Sequence, residues 1–137
     1  MSLDAILVAD TRAWLLKAEA DLRAAHVSLE AQPPLHEHSA FNCQQAAEKA
    51  LKGFLTWHDL PFRKTHDLAL LGAACSKLDP SLEPACKRAD DLSAYAWEFR
   101  YPRVGDELTS EQVVEALSIA RSLYDAIIAR LPEEVRP

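Results

Sequence analysis

At 137 residues, 49% of them apolar, the chain has the size and composition of one globular domain with a single core, spanning 1–137. A net charge of −6 argues against a general nucleic-acid binder, which needs a basic surface, but leaves room for a small local basic site. No run of about 18 consecutive apolar residues is present, and the N-terminus lacks the basic region of a secretory signal. A cytoplasmic protein with no membrane span is therefore expected. The three cysteines, Cys43, Cys75 and Cys86, are odd in number and lack C-x-x-C spacing. They read as reduced core residues rather than a disulfide framework or a metal site.

The first predicted helix runs from Ala9 to Glu30, with Asp10 as its cap. Leu15, Ala18, Leu22, Ala25 and Leu29 step by three and four and make one apolar stripe, with Trp14 and Asp21 at its edge. Gln32-Pro33-Pro34 ends it. His36 and His38 form an H-x-H pair, but no nearby Cys or carboxylate completes a ligand set, so no metal is expected.

The second helix is the longest coherent pattern, within His38–His66. At about 100° per residue, Cys43, Ala47, Ala50, Leu51, Phe54 and His58 share one sector. Asn42, Gln45, Lys49 and Lys52 fall opposite and should be wet. Gln44 and Glu48 flank the stripe. They are either boundary residues reaching water or the lining of a polar cleft.

Leu60-Pro61-Phe62-Arg63-Lys64 is the next connection, and Thr65 is the expected N-cap of a helix through Lys77. Ser81 is the expected cap of a fourth helix, with Pro84 in its first turn. Leu82, Ala85, Ala89, Leu92, Ala96 and Phe99 form its stripe, and Arg100 is in phase with them. Pro102 stops that helix. A guanidinium in this phase is aimed at the core or a cleft, so it needs an acid partner; Glu48 and Asp21 are the margin acids available. Thr109 opens the last helix with capping-box spacing to Gln112, and a broad stripe runs to Leu131. The tail is polar and expected to fray. Three long and two shorter helices with short connections predict an all-α, up-and-down bundle of four to five helices.

AFNCQQAAEKALKGFL, then THDL, then YAWEFRYP, in that order, resemble the HEPN domain (higher eukaryotes and prokaryotes nucleotide-binding domain) from Trp14 to the last helix. HEPN ribonucleases carry an Arg followed by four to six residues and a His. That spacing is absent: Arg23 precedes His26, and Arg63 precedes His66, by three positions, and no histidine follows Arg100. The chain is instead similar to the branch carrying RYP, here Arg100-Tyr101-Pro102. That resemblance implies a nucleotide-binding or regulatory partner of a minimal nucleotidyltransferase in a two-component, toxin–antitoxin-like module. It also implies a homodimer, with Trp97, Phe99 and Tyr101 either as interface anchors or closing the bundle end.

Arg100 is the expected centre of the site, lined by Tyr101, Glu48, Gln44, Asp21, His66 and Tyr95. The reading favours a binding protein over an enzyme. Two alternatives stay open. One is a metal-independent ribonuclease toxin with a non-standard site, for which Arg100 and His66 are the catalytic candidates. The other is a dimeric helical binding or structural module. No Gly-rich phosphate loop is present, and no cofactor is expected. Lys49, Lys52, Arg63, Lys64, Arg100 and Arg103 either gather into a local basic site for a nucleotide or RNA or lie scattered in solvent.

Overall fold

The computed structural model describes residues 2–96 and 107–137. Its helices are α1 (Leu3–Glu30), α2 (His36–Trp57), α3 (Leu68–Leu78), α4 (Glu83–Ala89) and α5 (Ser110–Ile128). Short 3-10 segments occupy Pro80–Leu82, Asp90–Ala96 and Glu133–Val135. Among the described residues there is no strand, and no helix is long and apolar enough to cross a membrane. The all-α expectation holds, with three long helices and two short ones.

α2 is the axis of the bundle: α1, α3, α5 and Asp90–Ala96 all pack on it. Thirteen of its 22 residues are buried, so a one-stripe description fails. Lys52, expected in water, is 7% exposed, because α1 and the α2–α3 connection close over that flank. Gly53 allows a close approach of α1. A Cβ there would lie 3.1 Å from Leu15 Cδ2 and 3.2 Å from Trp14 Cβ.

α1 starts six residues earlier than the pattern predicts. The Ser2 hydroxyl accepts from the Ala5 amide, and Asp4 in the first turn suits the helix dipole, so Asp10 is interior. Of its expected core stripe Leu15, Ala18, Leu22 and Ala25 are buried, while Leu29, near the helix end, is only partly covered. α2 ends in a Schellman arrangement: the amides of Leu60 and Asp59 donate to the carbonyls of Leu55 and Thr56, with Asp59 at φ 53°. Asp tolerates that left-handed conformation better than most residues. His58 is therefore an exposed cap, not a continuation of the apolar stripe.

α3 is capped by Asp67, whose Oδ1 accepts from the amides of Ala69 and Leu70. Thr65, the expected cap, instead accepts from the Asp67 amide. His66 accordingly precedes the helix and does not sit in its first turn. The fourth segment also departs from expectation. Asp79, not Ser81, caps its start, and α4 ends at Ala89, continuing as a 3-10 segment to Ala96. Asp90, Asp91 and Ser93 offer side-chain oxygens that compete with the helical ladder. Ser93 spends its hydroxyl on the Leu68 amide at 2.8 Å, tying this segment to the start of α3.

The Thr109/Gln112 capping box forms as its spacing predicts. The C-terminal tail does not fray. Val135 is buried, the Arg136 guanidinium donates to the Leu131 carbonyl at 2.8 Å, and Arg12 donates to the Arg136 carbonyl. All three cysteines are free and buried, and burial pushes the Cys43 thiol up to about 12.

Candidate functional site

Gln44, Glu48 and Lys52 occupy successive turns of α2, so their side chains stack along one line. Glu48 is the hub. Its Oε1 accepts from His66 Nδ1 at 2.7 Å and from Gln44 Nε2 at 3.1 Å, and its Oε2 accepts from Lys52 Nζ at 3.0 Å. Gln44 Nε2 also donates to the His66 carbonyl at 3.2 Å, and Gln45 Nε2 donates to Gln44 Oε1 at 2.6 Å. His66 is thus held twice, by its ring and by its backbone.

Burial differs sharply across this network. The side chains of Glu48 and Lys52 are 5% and 9% exposed, while that of His66 is 55% exposed. An ionised Glu48 can only accept, so Nδ1 carries the shared proton and Nε2 is the ring nitrogen left for a ligand. Burial works against ionising Glu48 and is the largest single influence. The hydrogen bonds from Gln44, His66 and Lys52, with the Lys52 charge, together outweigh it and hold the carboxyl below its ordinary range. The Lys52 ammonium lies 5.6 Å from the Trp14 ring centroid and 5.7 Å from that of Phe62. The two rings meet edge to face at 6.0 Å. Two aromatic faces and one carboxylate thereby replace the water this cation gives up.

Of the residues singled out by sequence, the fold brings Gln44, Glu48 and His66 together. Asp21 goes elsewhere: it pairs with Lys49 at 2.6 Å, where both side chains are about a fifth exposed. Tyr95 is half-buried and packs against the core. Arg100 and Tyr101 lie outside the described residues, as do Trp97, Phe99 and Arg103. Helical phase alone assigns Lys52 to water. Its position four residues after Glu48 is the available signal that it belongs to the same cluster. His36 Nε2 bonds Ser110 Oγ at 2.9 Å and joins the starts of α2 and α5. Among the described residues, no group of three or more His, Cys, Asp or Glu is placed to hold a metal.

The arrangement is a buried carboxylate behind a fixed, exposed imidazole, on the central helix of an all-α bundle. The chain belongs to the HEPN domain family, whose model matches residues 11–131. It is similar to TT1696 from Thermus thermophilus in its crystal structure, at 28% identity and TM-score 0.71, over 88% of this chain and 98% of that one. It is also similar to ST0689, an archaeal HEPN homologue, at 25% identity and TM-score 0.69, over 88% and 96%. No curated protein matches the chain.

Proposed function

We propose that this chain, as a single cytoplasmic HEPN domain, is the binding and regulatory half of a two-component module whose other half is a minimal nucleotidyltransferase. In this reading it works as a homodimer and binds a nucleotide or RNA beside His66, with the exposed Arg63 and Lys64 available to a phosphate and the His66 Nε2 free to accept from a ribose hydroxyl. The observation that carries the proposal is the doubly anchored His66, with its ring fixed by buried Glu48 and its Nε2 side open. A side chain immobilised in advance loses little entropy on binding. His58, Arg63, Lys64 and His66 outnumber the single acid Asp59 between α2 and Asp67, which makes this connection locally basic in an acidic chain. Arg100 and Tyr101 would complete the site. The buried free cysteines suit a reducing compartment.

One observation favours the ribonuclease alternative. A carboxylate on Nδ1 that leaves Nε2 as acceptor is the orientation a general base requires. One set of measurements separates the readings: calorimetry with mononucleotides and a short RNA, capture of the nucleotidyltransferase co-expressed from a neighbouring reading frame, and RNA cleavage, on wild type and His66→Ala. The regulatory reading expects capture and phosphate-ligand binding, with binding lost in His66→Ala while the chain stays folded, at a stability cost of about 1.5–3 kcal/mol for the lost bond to the Glu48 carboxylate. Metal-independent cleavage that His66→Ala abolishes would transfer the assignment to a nuclease. Absence of capture, binding and cleavage alike would overturn both.

A further inference from the structure

Two seams run along α1 on opposite sides. The inner one, Thr11, Leu15, Ala18, Leu22 and Ala25, is buried, and α1 packs chiefly on α2. The outer one starts at Ile6 and reaches Ala9, Ala13, Leu16, Ala20, Arg23 and Val27 by strictly alternating steps of three and four. At about 100° per residue its members share an arc of about 100°, centred about 165° from the inner seam. All of them are exposed, Leu16 at 46% and Val27 at 60%. The outer seam spans three heptads and is apolar at every a and d position but one. Charges flank it, Asp10 and Lys17 on one side and Arg12 and Glu19 on the other. A spacing held this strictly to an average of about 3.5 residues belongs to a helix that another helix winds along. α1 itself shows the rule, since its inner seam has the same spacing and takes a helix.

The exception, Arg23, says what kind of helix. It lies where Leu16, Glu19, Ala20 and Val27, with Arg121 from α5, line a groove of about 660 Å³. Among the described residues neither Arg23 nor Arg121 has an ion-pair partner. The acid in the groove lining, Glu19, already accepts from the Tyr124 hydroxyl at 3.1 Å. Two cations thus face the groove unanswered, in a chain whose net charge is −6. A charge at a heptad core position sets the register of the pair, and it needs the opposite charge from the facing helix once water is excluded. The other six residues of the seam are apolar, so the seam of a second copy offers Arg23 no carboxylate. Three of the six are alanines, so close packing asks the facing helix for the larger apolar side chains.

We infer that the outer face of α1 docks an amphipathic helix of a different protein, apolar along its own heptad seam and carrying a carboxylate opposite Arg23. This goes beyond the proposed function, whose ligand lies at His66, and holds for any protein that presents such a helix. The probe is a fluorescein-labelled peptide of three heptads, with Leu at its a and d positions except for one Glu. Two versions place that Glu for a parallel and for an antiparallel helix, and their twins carry Lys instead. Anisotropy titrations use the full chain as wild type, Leu16→Glu, Arg23→Glu and, as a control on another face, Leu70→Glu. All three positions are exposed, and circular dichroism checks that each variant stays helical. One Glu peptide should bind wild type and Leu70→Glu alike, and Leu16→Glu and Arg23→Glu at least about tenfold more weakly. Its Lys twin should prefer Arg23→Glu to wild type. Equal binding of Glu and Lys peptides, or binding of neither, would overturn the proposal. Sedimentation velocity tests the other occupant: a wild-type oligomer that Leu16→Glu and Arg23→Glu both dissociate would give the face to a second copy and overturn the proposal as well. Nucleotide binding at His66 is scored separately, so the failure of either reading leaves the other standing.

Discussion

Two lysines three residues apart on α2 make two ion pairs of opposite character. Lys49 meets Asp21 across the α1–α2 seam, with both side chains still reaching water. Lys52 meets Glu48 inside the bundle, under Trp14 and Phe62, with both side chains nearly dry. The chemistry is the same but the surroundings differ. In the first pair solvent shares the charge, so either partner can be lost cheaply. In the second each charge has exchanged its hydration for a fixed set of protein groups, and removing one strands the other. Only the second pair continues outward, through His66, to a surface where a ligand can arrive. The contrast separates an ion pair that braces two helices from one that positions a functional side chain.

The largest expected effect tests that distinction directly. Glu48→Leu strands the Lys52 ammonium and releases His66, and should cost about 3–5 kcal/mol in chemical denaturation. Glu48→Leu combined with Lys52→Met removes both charges and should recover most of that loss, because apolar pairs of similar volume replace buried ion pairs well. The double variant should nonetheless bind no ligand, since His66 no longer has its anchor. If the double variant is as unstable as the single one, the cluster is not an electrostatic unit.

A smaller effect appears with pH. The folded Glu48 carboxyl titrates below its unfolded value of about 4.3. Its contribution is therefore present above that value and is lost as pH falls through the depressed folded one. Melting curves of wild type and Glu48→Gln should stay apart at neutral pH and converge in strong acid. A gap that widens on acidification would contradict the sign of the shift.

The smallest effect belongs to the outer pair. Asp21→Asn should change stability by only about 0.2–1 kcal/mol and leave ligand binding intact. A loss comparable to that of Glu48→Leu would erase the comparison between the two lysines.

Much of this was legible in the sequence. Three- and four-residue apolar spacing marked every long helix, prolines marked the connections, and Thr109 with Gln112 marked the start of α5 to the residue. Those signals are local, acting within one or two turns of the chain, so the sequence carries them intact. The margin positions of Gln44 and Glu48 also marked two members of the cluster. What local patterns did not carry was which neighbours close over each face. Lys52 faces away from the apolar stripe of its own helix, yet Gly53 lets α1 come close enough for Trp14 to cover it. Asp21 and Glu48 looked alike as acids at stripe margins until the packing gave one to Lys49 and the other to His66. The fourth segment turns from α to 3-10 where Ser93 is drawn to the Leu68 amide, a bond between residues 25 apart in sequence. Helix positions follow from local periodicity, but the burial of a charge depends on surfaces that only the assembled bundle brings together.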